Sequence, residues 1–595
     1  MDPATTPLVS RRDARLVGLL AVAAALGAIA AYGRWDAAAW NTPIEYGHLG
    51  YDADAMAVLA QIKAASQGDF PLLLTKSVPQ LGAPFTANWN DAPIVEQPLY
   101  WLTGCLAGVT SLFFAANAMV LCSHVLAALC FFAVCRMLAC DARWSFAGAL
   151  VFAFARFPFA RQLHHPQVLY DWHVPACLLV GWWLLDDTGF RVRDRRFWIA
   201  IAIAVVTGVQ HPYYTNMFVQ LTGLACLVLW HRGRRADAVA GLTVCGTSLA
   251  AFLLMCGNYL FYKLVHGSNP AGLVRSFQWL EFYALKPLDM FMPPPEHRWG
   301  PLAALSQGYF KNVLVPGETP PSCYLGILGI AALAWLCATA VRDTLARPGR
   351  DVPGEAWQVL WIVAYSIIGG INCLVGVFGI QFFRSANRYS IFILAIVLVW
   401  AIRQLTHRHP TARAGQFAWA LPALAVAIAA WDQVPPPPTE KQIADVAMRV
   451  DSDRSFTREL ESRLPAGGMV FQLPAMKYPE QPVPGVSASD HFRLYLHSDT
   501  LRFSFGSFAG RSDTAWQDAL LKADLPEVIR ALERYGFGAI TINRAGFQDA
   551  GAALLKALGE QGRSQTLSSP RGDLVAVLLE PAARPELPAT APPGR

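Results

Sequence analysis

The sequence predicts an α-helical polytopic membrane protein of about eleven transmembrane helices, followed by a smaller soluble α/β domain. Three observations carry this expectation. Hydrophobic residues make up 54% of the chain and charged residues only 15%, where soluble proteins carry roughly a quarter charged residues. Apolar segments recur as far as Trp431, and the dense arginine clusters all fall on one side of the alternation these segments define. Beyond the four prolines Pro435 to Pro438 the composition turns ordinary and soluble.

The apolar segments lie at 16–33, 98–113, 114–138, 144–160, 168–186, 197–210, 212–230, 237–261, 322–341, 356–380, 388–405 and 414–431. The first follows Ser10-Arg11-Arg12-Asp13-Ala14-Arg15. It is long for the apolar core of a cleaved signal and matches an uncleaved span, which leaves 1–15 as a cytoplasmic N-terminus. Asn117 and the short spacing within 98–138 suggest that 98–113 is interfacial or re-entrant and that the pair makes one crossing. The basic residues arbitrate. With one crossing, Arg136/Arg143, Arg191/Arg193/Arg195/Arg196, Arg232/Arg234/Arg235, Arg342/Arg347/Arg350 and Arg403/Arg408/Arg413 join Arg11, Arg12 and Arg15 inside. With two crossings all five clusters would lie outside, against the positive-inside tendency.

This arrangement places a transmembrane domain at 16–431, with outer loops 34–97 and 262–321 and shorter outer turns near 161–167, 211–214 and 381–388. Everything after Trp431 is expected outside, so the chain reads as a multi-pass protein of a bacterial inner membrane with an exported C-terminal domain. Residues 432–439 form a stiff proline-rich linker. In the domain at 440–582, Met469–Leu473, Phe537–Ile542 and Leu574–Leu579 read as strands, and Leu525–Arg534 and Ala552–Leu558 as helices. The tail 583–595 reads as disordered.

Composition also excludes. The 12 cysteines end at Cys373 and show no zinc spacing, so they read as small buried hydrophobes, and the C-terminal domain has no disulfide. A net charge of +6 spread over membrane loops gives no nucleic-acid signal. No nucleophile elbow or phosphate loop is evident in the C-terminal domain.

The first outer loop holds the most unusual residues. Gly47-His48-Leu49-Gly50-Tyr51-Asp52-Ala53-Asp54 leads into an amphipathic helix ending near Gln67, and Gln97-Pro98-Leu99-Tyr100 closes the loop. In an extended stretch Asp52 and Asp54 share a face. Two carboxylates at a membrane surface suit a general base or a cation site; the plainer role for either is to cap the following helix. Arg384 and Arg388 lie in Phe383-Arg384-Ser385-Ala386-Asn387-Arg388-Tyr389, where guanidinium groups suit a phosphate or simply snorkel. His164, His165, His211, Tyr213 and Tyr214 sit at span ends, placed either to bind substrate or to act as ordinary interfacial side chains. Glu318 in the second loop is placed either to orient an acceptor or to be solvated there.

These features together resemble the GT-C superfamily of membrane glycosyltransferases, most nearly its YfhO-like and ArnT-like branches. The resemblance covers about residues 10–430: one N-terminal span, a long outer loop with an early Asp, and a Pro-Leu-Tyr lead-in to a re-entrant helix. It implies a GT-C type fold and transfer of a hexosyl or pentosyl group from a polyprenyl-phosphate sugar to a lipid, glycan or protein acceptor, in cell-envelope modification. The implied catalytic acid is Asp52, with Asp54 as the alternative. Ala53 between them departs from the adjacent acids common in ArnT-like members. A single displacement predicts inversion. No cofactor is required by this reading, and a divalent metal on Asp52 and Asp54 is permitted. The rival readings are a lipid-linked sugar flippase and a non-catalytic envelope-polysaccharide assembly protein. The flippase finds little support, because few charges lie within the spans and no internal repeat is evident.

Overall fold

The computed structural model describes residues 11–45, 54–269, 271–272, 275–315, 317–318, 321–346, 352–408, 418–479 and 482–589. The N-terminal part is helical: α1 (Arg11–Ala31), α2 (Asp54–Ser66), α3 (Gln97–Val109), α4 (Leu112–Met137), α5 (Ala142–Ala153), α6 (Arg156–Phe159), α7 (Pro166–Leu169) and α8 (Val174–Leu185). It continues through α9 (Arg195–Gly208), α10 (Pro212–His231), α11 (Arg235–Met255), α12 (Gly257–His266), α13 (Phe277–Phe282) and α14 (Gly300–Asn312). Then follow α15 (Gly326–Ala346), α16 (Gly354–Ser366), α17 (Ile371–Val377), α18 (Ser390–Arg408) and α19 (Ala420–Gln433).

Among the described residues five helices are long and apolar enough to cross a membrane: α1, α4, α11, α15, and α18 with the turn before it. Several other expected spans are broken instead. The segment 144–160 divides into α5 and α6, and 168–186 into α7 and α8, at positions rich in proline (Pro158, Pro166, Pro175). Proline removes an amide donor and fits best in a helix's first turn. The segment 356–380 breaks at Gly369 and Gly370, the former at φ 71°, a backbone glycine tolerates. The pair within 98–138 separates at Ser111, whose Oγ accepts from the Phe114 amide at 3.2 Å and starts α4. At about 20 Å, α3 is short of a bilayer core, whereas α4 exceeds it. At the centre lies α18, buried from Ser390 to Trp400 on every side, as a helix apolar all round must be.

After the prolines, Thr439 and Gln442 form a reciprocal capping box that starts α20 (Glu440–Arg463). Ser77–Val78 (β1) and Ala87–Asn88 (β2) pair within the first loop. The C-terminal strands are β3 (Met469–Leu473), β4 (Arg502–Phe503), β5 (Phe537–Asn543), β6 (Thr566–Ser568) and β7 (Leu574–Leu578), in the order β4-β3-β5-β7-β6. The first three are parallel and the last two pair antiparallel. Period-2 alternation divides their side chains. Phe471, Ile540 and Val577 face α22 (Ser512–Leu520), α23 (Leu525–Arg534) and α24 (Ala552–Glu560). Val470, Ala539 and Ala576 face α20, α21 (Phe492–His497) and the first loop.

That second core changes the expected character of α2. Its residues Ala55, Met56, Val58, Leu59, Ala60, Ile62, Lys63, Ala64 and Ala65 are all buried, so it is enclosed rather than amphipathic. It is packed between α3 and α21, and its one long cation, Lys63, donates to the carbonyls of Tyr495 and Ser498. Gln80 to Ala83 run beside β4: the Phe503 amide donates to Gln80 O at 2.7 Å and the Ala83 amide to Phe503 O at 2.9 Å. The first loop and the C-terminal sheet therefore share one core. Segments packed in this way must lie on the same side of any membrane the helices cross.

Candidate functional site

The site is built on the turn between α6 and α7, closed by Pro158 and Pro166, which presents Arg161, His164 and His165. His164 binds Glu45 twice: its backbone amide and Nδ1 meet Oε2 at 3.2 and 2.6 Å. His165 Nε2 lies 3.4 Å from Asp54 Oδ2. Glu45 and Asp54 thus flank residues 46–53 and both meet the histidine pair; Asp52 lies outside the described residues. Burial pushes His165 far below its ordinary pKa, and His164, Arg388 and Arg161 act in the same direction against Glu318. His165 therefore meets Asp54 as a neutral ring at pH 7. The Asp54 side chain remains 57% exposed.

Behind this pair stands Glu318, in the loop before α15. Arg161 Nη1 donates to its Oε2 at 2.9 Å. Arg388, in the 3-10 turn Ala386–Tyr389 that starts α18, donates through Nε at 2.9 Å and again through Nη2. Ser385 Oγ lies 3.4 Å from Oε1, and Arg161 Nη2 donates to Ser322 Oγ at 3.2 Å. Burial alone would raise the Glu318 pKa, but Arg388 and then Arg161 hold it well below the usual carboxylate range. Among the described residues, two buried guanidinium groups thus share this one carboxylate. Five donors on each arginine exceed what one carboxylate accepts.

The neighbouring aromatic residues set the arginine. Arg388 lies over the Tyr213 ring, 4.7 Å from its centroid, and Tyr213 Oη accepts from the Ser385 amide at 2.9 Å. His211 stacks on Tyr213 with centroids 5.2 Å apart, and its Nδ1 accepts from the Tyr213 amide at 3.4 Å, starting α10. Burial, then Arg388, push His211 well below its ordinary pKa, so it too is neutral.

Of the residues singled out in the sequence, Asp54, His164, His165, His211, Tyr213, Glu318 and Arg388 come together. Arg384 stands beside the cluster over Tyr283, 5.3 Å from its centroid, and among the described residues it has no carboxylate partner. Tyr214 donates to the Val168 carbonyl inside the bundle, which makes it a packing residue in this arrangement.

Sequence reasoning missed Arg161, Glu45 and Glu96. Arg161, fully buried, carried one signal, an arginine directly after the apolar run 144–160 at the start of an outer turn. Glu96 precedes α3 and makes no side-chain cap; from the sequence it reads as a favourable helix-start acid. Burial pushes its carboxyl up to about 7, against backbone amides and Arg388. Among the described residues no group of three or more His, Cys, Asp or Glu side chains is placed to hold a metal ion.

No protein-family model matches the chain, and no curated protein sequence matches it. Among solved structures it is similar to ArnT from Cupriavidus metallidurans bound to undecaprenyl phosphate, with a TM-score of 0.40 at 13% identity over 95% of this chain and 97% of that one. The apo state of the same protein gives 0.40 at 13% identity over 94% and 97%. Arabinofuranosyltransferase AftD from Mycobacteria gives 0.43 at 13% identity over 91% of this chain and 37% of that one. Likenesses this loose carry no argument about chemistry, which rests on the side chains described above.

Proposed function

We propose that this multi-pass membrane protein is a glycosyltransferase that moves a sugar from a polyprenyl-phosphate donor to an acceptor hydroxyl on the outer face of a bacterial inner membrane. The observation that carries the reading is an exposed carboxylate, Asp54, set by a neutral histidine beside a buried arginine pair that shares Glu318. A single displacement needs these two parts. A carboxylate takes the acceptor's O–H proton while the oxygen attacks the anomeric carbon. The bond from that carbon to the phosphate oxygen breaks, its electron pair leaves with the lipid phosphate, and the configuration inverts. The charge gathering on the phosphate is stabilised by donors already oriented in a dry site. Arg388 and Arg384 fill that role, with Arg161 now added to them.

Asp52 is the first choice for the base by resemblance, and Asp54 by its position beside His165. His211 and Tyr213 set the arginine; His164 and Glu45 fix the histidine turn. The C-terminal sheet at 440–582 is read as an exported α/β domain, since the first outer loop packs against it.

The test is transfer from labelled polyprenyl-phosphate sugars in membranes, comparing wild type with Asp52→Asn and Asp54→Asn at matched expression. Transfer by wild type that one variant abolishes supports the reading and names the base. If wild type transfers nothing across a broad panel of donors and acceptors, the flippase and assembly readings take its place.

A further inference from the structure

Away from the arginine cluster, the C-terminal halves of α1, α5 and α19 enclose a groove of about 340 Å³. Gly27 and Ala30 of α1, Leu150 of α5 with Phe154 just beyond it, and Val426 of α19 line it with carbon, and Pro435 of the proline run covers one end. Gly27 shapes it: a Cβ there would come within 2.8 Å of the Phe154 ring. The lining belongs to helices of a membrane-embedded chain, so hydrocarbon rather than water is its natural filling.

One end of the groove is charged. Arg298 stands at the rim, exposed to solvent. The acids nearby are already engaged: Glu296 pairs with Arg156. Asp432 lies 3.3 Å from His297 Nε2 and accepts from the Tyr324 hydroxyl at 2.7 Å. Among the described residues Arg298 has no acidic partner and is the surplus cation of this end. Beside it Trp299 and Trp431 expose 53% and 40% of their surface, as tryptophans do at headgroup depth. None of the groove's lining residues is a partner of Asp54, His165, Glu318 or Arg388.

We propose that this groove holds one acyl chain of an anionic glycerophospholipid, whose phosphate sits on Arg298. The apolar walls accept one chain, and one unmatched guanidinium matches one phosphodiester. The lipid would fasten α1 to α5 and α19 at the point where the chain leaves the helices for the C-terminal sheet. This inference rests on the membrane reading but not on sugar transfer.

The experiment is native mass spectrometry of the full-length protein released from nanodiscs of defined composition. Wild type is expected to retain one phosphatidylglycerol and to prefer it to phosphatidylcholine roughly fivefold. Arg298→Gln should lose that preference, and Ala30→Trp, which fills the groove, should lose the retained lipid. Equal retention of phosphatidylcholine by wild type, an unchanged preference in Arg298→Gln, or full retention by a folded Ala30→Trp would each overturn the proposal. So would displacement of the lipid by added polyprenyl phosphate, which would assign the groove to the donor. Should Ala30→Trp not fold, Arg298→Gln decides alone, because its side chain is exposed and its loss leaves the helices intact.

Discussion

Arg388 holds Glu318 as a fork, with Nε on one carboxylate oxygen and Nη2 on the other, across 70 residues of chain. Arg161 adds a third bond to the same group. Removing one member of a buried charge cluster costs about 3–5 kcal/mol, because the partners stay buried and unmatched. Glu318→Gln keeps the shape but leaves two guanidinium groups facing each other. It is expected to lower the thermal midpoint clearly and to reduce transfer, measured by unfolding in detergent and by the labelled-donor assay. The pH dependence has a definite sign. The folded pKa of Glu318 is depressed, so its stabilisation is full above the unfolded value of about 4.3 and fades as pH falls through the folded value. The Gln variant should lose that acid limb, and a variant as stable as wild type at pH 7 would show that the cluster contributes nothing net.

Asp54 and His165 make a separable prediction. Loss of a general base lowers rate roughly 10²–10⁴-fold, so whichever of Asp52→Asn and Asp54→Asn shows that loss at unchanged donor affinity is the base. His165→Gln keeps a polar group near Asp54 without a titrating ring and should cost far less rate. The folded pKa of His165 lies below its unfolded value of about 6.5. The unfolded chain therefore takes up the proton first, and stability falls as pH drops below about 6.5. His165→Gln should flatten that slope; an unchanged slope would place the acid sensitivity elsewhere.

Glu96 predicts the opposite sign. Its folded pKa is raised to about 7, so the protonated carboxyl favours the folded state, and that contribution is lost as pH rises from about 4.3 through 7. A carboxyl poised near neutrality and within electrostatic reach of Arg388 also bears on the reaction. The rate profile of wild type is expected to bend near pH 7, and Glu96→Gln should remove the bend. A bend that survives in the variant would belong to another group.

How much of this was legible follows from the kind of information each residue carries. Leu525–Arg534 and Met469–Leu473 were readable to the residue, because Asp524 caps the helix locally and the strand stops at Pro474. The breaks within the expected spans were less legible, since hydropathy averages over prolines and glycines that divide one apolar run into two helices. Glu318 and Arg388 stood out as charges in loops bounded by apolar segments, but their pairing with Arg161 is tertiary and leaves no trace in local sequence. The same holds for α2: the polar Gln61, Lys63 and Ser66 in an otherwise apolar run suggested an exposed face, and only the arrival of α21 from more than 400 residues away encloses Lys63. Asp54's placement next to His165 likewise depends on a turn that sequence spacing cannot position.

That enclosure makes the C-terminal sheet part of the site's support, through Trp89. Its side chain is 1% exposed, its Nε1 donates to the Gly506 carbonyl at 2.9 Å, and its rings meet Phe492 edge-on at 6.1 Å. The same loop carries Asp91, paired with Arg511, and leads back through β1 and β2 to α2, whose first residue is Asp54. Trp89→Ala removes a large buried ring and should cost about 3–5 kcal/mol locally. If the sheet only decorates the helices, that loss lowers stability and leaves transfer intact in the surviving folded protein. If the sheet holds α2 in place, the folded fraction also transfers more slowly, with Asp54 less well set against His165. Rate per folded molecule, with the folded fraction measured by size-exclusion chromatography, separates the two, and the shared core of α2 and α21 leads us to expect the slower rate.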